Sequence, residues 1–145
     1  MNRLFLITAI IFPLICNAAW AQSVLKFRAP EGIKETRLLS HIKKTHQLPD
    51  IKYNIAPTDL NNDLINEYII KPASKRNCDE PPLCPYYVIA LQERDPIILG
   101  KFNAHKIVVS SKKTYGVQDI IVYNDLYNDF KTKTAIWHPY EFKYK

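Results

Sequence analysis

Glycine is nearly missing from this chain, with three in 145 residues. So few cannot build a Gly-rich phosphate loop, and no G-x-S-x-G turn occurs to carry a hydrolase nucleophile. Histidine is as sparse, at four. His41 and His46 are not spaced i, i+4, the interval that places two imidazoles on one helical face, and no H-E-x-x-H is present. Together with His105 and His138 they read as surface or helix-terminal residues. Apolar runs are short as well. The longest, over residues 4–15, falls below the ~20 residues needed to cross a bilayer, and Pro13 interrupts it. Basic residues do not cluster either: Lys43-Lys44, Lys75-Arg76 and Lys112-Lys113 are separate pairs, which fits a solvated surface and speaks against nucleic acid as a partner.

What is present begins with an export signal. Arg3 supplies a positive n-region, the apolar run follows, and Ala19 and Ala21 flank Trp20 in an A-x-A pattern. Residues 1–21 are therefore expected to be a signal peptide and residues 22–145 a single domain without a membrane span, periplasmic or secreted. The formal net charge of +6 falls by one with Arg3, leaving a basic surface suited to an acidic or anionic partner. Loss of Cys16 leaves Cys78 and Cys84 in NCDEPPLCP. In an oxidising compartment such a close pair reads as a disulfide, closing a loop whose constraint stabilises the fold by about 2–3 kcal/mol. Zinc would need two more ligands nearby, and a redox dithiol would show C-x-x-C spacing.

One stretch has helical periodicity. Over residues 31–47, Ile33, Leu38, Leu39 and Ile42 fall near one face, Pro30 and Glu31 suit the first turn, and Lys43 and Lys44 the last. Beyond Pro49 the texture changes to β-branched and aromatic runs at 51–55, 67–71, 86–91, 97–102, 106–110, 119–123 and 134–137, with 141–144 as a further candidate. The spacing leaves no room for crossover helices. The expected class is α+β: one N-terminal helix packed on a mainly antiparallel sheet of about six to eight strands, drawn as a single layer. Asn103-Ala104 and residues 110–116 are expected hairpin connections, with Gly116 at positive φ. YNDLYNDFKTK, residues 123–133, reads as loop.

The segment TDLNNDLINEYII places oxygen-bearing side chains at Asp59, Asn61, Asp63 and Glu67, with the Ile65 carbonyl between them. Calcium is held by this kind of alternation in a tight turn. Leu64 stands where a sharp bend prefers glycine, and Ile70 stands where an EF-hand places its bidentate Glu. The competing reading, and the one favoured here, is a turn shaped by side-chain-to-backbone hydrogen bonds. The D-x-N-x-D-x-x-x-E spacing leading straight into a strand resembles the calcium loop of FG-GAP repeats. With CDEPPLCPYYVIAL and YGVQDIIVY it also resembles a diffuse set of small exported bacterial proteins of unknown function. That resemblance implies a fold and an exported location, and no activity.

Tyr86, Tyr123, Tyr127, Trp137 and Tyr140 belong to an aromatic-rich second half in which outward-facing rings beside Lys and Arg would compose an interaction surface. The expected function is accordingly a non-enzymatic exported binding module for a protein or envelope polymer, of inhibitor, immunity or secretion-accessory type, with no cofactor beyond the calcium suggested by the loop. The alternative is a small hydrolase using carboxylates such as Asp79, Glu80, Asp95 or Asp59.

Overall fold

The structure, a computed structural model, describes residues 22–78, 82–92, 95–125 and 132–145. Among these there are one α-helix, α1 (Gly32–Thr45), and ten strands: β1 (Gln22–Ser23), β2 (Tyr53–Thr58), β3 (Glu67–Pro72), β4 (Cys84–Gln92), β5 (Asp95–Ala104), β6 (Lys106–Thr114), β7 (Val117–Tyr123), β8 (Thr132–Ala135), β9 (Trp137–His138) and β10 (Lys143–Tyr144). All strand pairings are antiparallel. The expected class is therefore the observed one: an N-terminal helix on a largely antiparallel β system.

The strands divide into two four-stranded sheets, in orders β2-β3-β4-β5 and β1-β6-β7-β8, and a short ribbon, β9-β10. A single layer could not have served, because β3 and β4 are apolar on both faces. Alternation sends Tyr68, Ile70, Tyr87 and Ile89 towards Leu38, Leu39 and Ile42 of α1, and sends Ile69, Tyr86 and Val88 towards Ile107, Val109, Ile120 and Val122 of the second sheet. The first sheet is thus a middle layer with its own core on each side. No helix among the described residues is long and apolar enough to cross a membrane.

Two connections differ in kind. Between β6 and β7, Thr114 pairs with Val117 around Tyr115 and Gly116, whose φ values are 54° and 83°, so this is a two-residue hairpin of the primed type with Gly116 at the expected positive φ. Asn103-Ala104, by contrast, is not a hairpin. Ala104 still pairs with Cys84 in the first sheet, whereas Lys106 pairs with Tyr123 in the second, and the chain crosses between sheets at His105. The corner is pinned there: His105 N–H donates to Tyr123 O at 2.8 Å, and the Tyr86 hydroxyl donates to His105 O at 3.4 Å. Cys78 and Cys84 form the expected disulfide, with Cα atoms 4.7 Å apart and both residues in the inter-sheet core.

The helix departs from its expected face at two places. Ile33 is 70% exposed, and Glu35 is buried in its stead. Arg28, carried by the strap preceding the helix, explains this: its guanidinium grips the Glu35 carboxylate with two bonds of 2.7 and 2.8 Å, and Glu31 N–H donates to the same carboxylate at 2.7 Å. The strap is itself fixed to β2 by reciprocal backbone bonds between Arg28 and Ile55. The hydrogen bond from Arg28 holds the Glu35 carboxyl below the usual glutamate range, outweighing desolvation.

Candidate functional site

The acidic segment forms an exposed loop between β2 and β3, and its oxygens are used by its own backbone. Asp59 Oδ1 accepts from Asn62 N–H (2.7 Å) and Asp63 N–H (3.2 Å), while Oδ2 accepts from Leu64 N–H (3.0 Å). Asp63 Oδ1 accepts from Ile65 N–H (2.7 Å), and its Oδ2 accepts from the Asn61 amide (2.9 Å). Asn61 Oδ1 accepts from Asp63 N–H at 3.0 Å. Desolvation pushes the Asp59 carboxyl upward, yet the bonds from Leu64, Asn62 and Asp63 together hold it below its ordinary value.

Glu67, the ninth position of the calcium-like spacing, turns away from that set. It is buried, and its Oε2 accepts from Leu60 N–H at 2.8 Å. Burial is the largest influence raising its carboxyl, with Asp63 and Asp59 adding repulsion. A carboxyl raised in the fold contributes stability at low pH that is lost as pH rises through its folded value. Among the described residues no group of three or more His, Cys, Asp or Glu side chains is placed to hold a metal ion. The hydrogen bonds made by Asp59, Asn61, Asp63 and Glu67 fit the turn reading.

Leu60 shows what the turn is for. Its side chain is buried in the inter-sheet core, its N–H is held by Glu67 and its carbonyl accepts from Gln118 N–H of β7 at 2.8 Å. The Gln118 carbonyl in turn accepts from the Tyr144 hydroxyl at 2.9 Å. One hydrogen-bonded line thus runs from the acidic loop through β7 to β10. It clasps the two sheets to the C-terminal ribbon. Nothing in the spacing of Asp59, Asn61 and Asp63 signals this role; the apolar residue inside the polar run was the available clue.

Bending the loop this way requires positive φ at Asn62 (63°) and at Leu64 (69°). Asparagine tolerates that region, whereas a leucine there costs about 1–2 kcal/mol. Leu64 is also 94% exposed, so glycine would lose no packing. Leu64→Gly is expected to raise stability by about 0.5–1 kcal/mol, the strain relieved less the added chain entropy. A urea midpoint shifted downward would show that Leu64 is not strained.

The clasp walls a cleft of about 310 Å³. Asn61, Asp63, Ile65 and Glu67 form one side. Ala90, Leu91, Ile97 and Leu99 of the β4–β5 hairpin form the floor, and Trp137 and Phe142 of the ribbon close the far side. Trp137 stacks edge-on against Phe142 and Tyr144, with ring centroids 6.4 and 5.6 Å apart. Phe142 has φ 50°, a second bulky residue in the left-handed region beside this cleft. Close approach of the ribbon also explains Gly100, where a Cβ would lie 3.2 Å from Tyr144 Cβ. Burial, with Glu67 and Asp119 adding repulsion, pushes the Tyr144 hydroxyl far above the ordinary tyrosine value, so it remains a donor.

The aromatic residues expected at a surface are not brought together. Tyr86 is buried against Phe27 and Tyr123 is buried on β7, each with a lysine over its ring, Lys71 at 5.8 Å and Lys106 at 4.3 Å. Their basic-aromatic pairing is cation–π packing, on the middle layer for Tyr86 and on the second sheet for Tyr123. Tyr140 stands 97% exposed in the turn between β9 and β10, and Trp137 alone of the described ones lines the cleft. Tyr127, Asp79, Glu80 and the leader lie outside the described residues; Asp95 is exposed at the start of β5. Phe142 and the floor residues were missed, since in sequence they look like ordinary strand residues.

Searches against protein-family models, curated proteins and solved structures found no match to this chain.

Proposed function

We infer that the chain is an exported, non-catalytic binding module that holds a segment of a protein or envelope polymer in the cleft between the acidic loop and the C-terminal ribbon. One observation carries this reading: the largely apolar recess is lined by Phe142, a bulky residue with positive φ, and on the opposite side by Asp63 and Ile65, the neighbours of the positive-φ Leu64. Strain of this kind persists where surrounding structure over-determines it, and it gathers at ligand-holding sites. Ile65 and Phe142 leave more than half of their surface open to solvent. The aromatic wall supplies rigid contact area. The leader sequence supports export, and the disulfide suits an oxidising compartment.

The test is a photo-crosslinking amino acid placed at Ile65 in the exporting cell, with the exposed hairpin residue Tyr115 as control position. A discrete adduct is expected from position 65, absent from position 115 and lost when Phe142→Ser is added. Equal labelling at both positions, or none at 65, contradicts the reading.

A further inference from the structure

We propose, resting on the reading of the cleft as a binding site, that the protein segment it holds is the acidic loop of a second copy of this chain. The two molecules close on each other about a twofold axis that runs along the cleft. The lips of the cleft are short segments, residues 59–66 of the loop and 137–145 of the ribbon. Of seven large apolar side chains exposed among the described residues, four stand on these lips: Leu64 and Ile65 on the loop, Tyr140 and Phe142 in the turn of the ribbon. Ile65 and Phe142 line opposite sides of the cleft, and Trp137 braces Phe142 edge-on. Exposed apolar surface concentrated in this way marks a contact with another molecule.

Leu64 is the least accounted for of the four. Within one molecule it carries a φ of 69° and gains no packing in return. Covered by Phe142 and Tyr140 of a second copy, its side chain would leave water, which offsets the strain. Charge selects the second copy as the occupant. Asp63 is exposed and Asp59 half-buried, and the hydrogen bonds they accept come from neutral N–H groups, which leave the negative charge in place. The ribbon carries two cations, Lys143 and Lys145, that share one carboxylate, Glu141. One lip is thus acidic and aliphatic, the other basic and aromatic. An occupant must offer the converse to both lips at the same separation. A twofold axis along the cleft does this, since it lays each loop over the other molecule's ribbon and repeats every contact, as in an isologous interface.

The test is sedimentation equilibrium of the exported chain between about 1 µM and 1 mM, at about 0.15 M salt, where the like net charges of two copies are largely screened. A monomer–dimer equilibrium is expected. Leu64→Asp and Lys143→Glu should each raise its dissociation constant about tenfold or more. Both are exposed positions, so the melting temperature of the monomer should stay nearly constant. Two differently tagged copies, one carrying the photo-crosslinking residue at position 65, should be joined, and the link should map to residues 137–145 of the other copy. A monomer at every concentration, a dimer indifferent to both substitutions, or a link outside the ribbon overturns the proposal. An adduct from position 65 with a different protein overturns it as well, yet leaves the cleft standing as a binding site. No adduct of any kind removes both readings.

Discussion

Glu35→Ala is expected to destabilise the protein by about 2 kcal/mol, a figure that already discounts the solvent screening at the half-open Arg28 end of the pair. The loss has two parts. A buried carboxylate that accepts two bonds from Arg28 and one from Glu31 N–H disappears, and the strap over residues 24–30 loses its side-chain hold on the helix. The pH dependence follows from the lowered carboxyl. Because the folded value lies below the unfolded one, the contribution is complete above the ordinary glutamate value and disappears as pH falls through the folded value. Wild type and variant should therefore differ by the full amount at neutral pH and converge in acid. Chemical denaturation across that range checks it, and a constant difference down to low pH would show that packing, not the charged pair, is responsible.

Asp119→Val is expected to act in the opposite direction, stabilising the protein by about 2 kcal/mol. Asp119 is completely buried, and neither carboxylate oxygen has a hydrogen bond among the described residues. The nearest cation is Lys112 Nζ at 4.0 Å from Oδ2, on a side chain that is mostly exposed. Pairing of β6 with β7 is regular to Val109, breaks, and resumes at Lys113, so the backbone opposite Asp119 is bulged. Valine suits the strand and leaves no buried charge. Lys112→Ala should cost stability, since it strips the carboxylate of its nearest positive charge. Thermal melts of the two variants shifting in the same direction would contradict this picture of an under-compensated carboxylate.

The helix and the positions of most strands were legible in sequence because each depends on local periodicity, whereas the division into two sheets was not. Leu38, Leu39 and Ile42 do face the sheet, and the strands fall where β-branched runs predicted them. The failures share a cause, which is dependence on residues distant along the chain. Ile33 could not be placed without Arg28 drawing Glu35 inward. The burial of Tyr86 could not be foreseen without knowing that β4 lies in a middle layer, where Tyr86 and Tyr87 are buried on opposite faces. Asn103-Ala104 looked like a turn because small and polar residues serve equally at a hairpin and at a corner between sheets.

The candidate loop was half legible. Alternating Asp59, Asn61 and Asp63 correctly indicated side chains converging on a bent backbone. Periodicity alone does not say whether that convergence serves a cation or the loop's own N–H groups. Glu67, buried and bonded to Leu60 N–H, is placed as the turn reading requires. The cleft itself joins three segments far apart in sequence, and no local signal could have assembled it.

The most direct test of the clasp is amide hydrogen exchange at Leu60, Asn62, Asp63, Leu64, Ile65 and Gln118, followed residue by residue in chelator and again in millimolar calcium. All six are expected to be protected in chelator and to change little on adding calcium, because each N–H already has an acceptor within the protein. Rapid exchange of the loop amides in chelator, slowed by calcium, would contradict the account and return the loop to the metal.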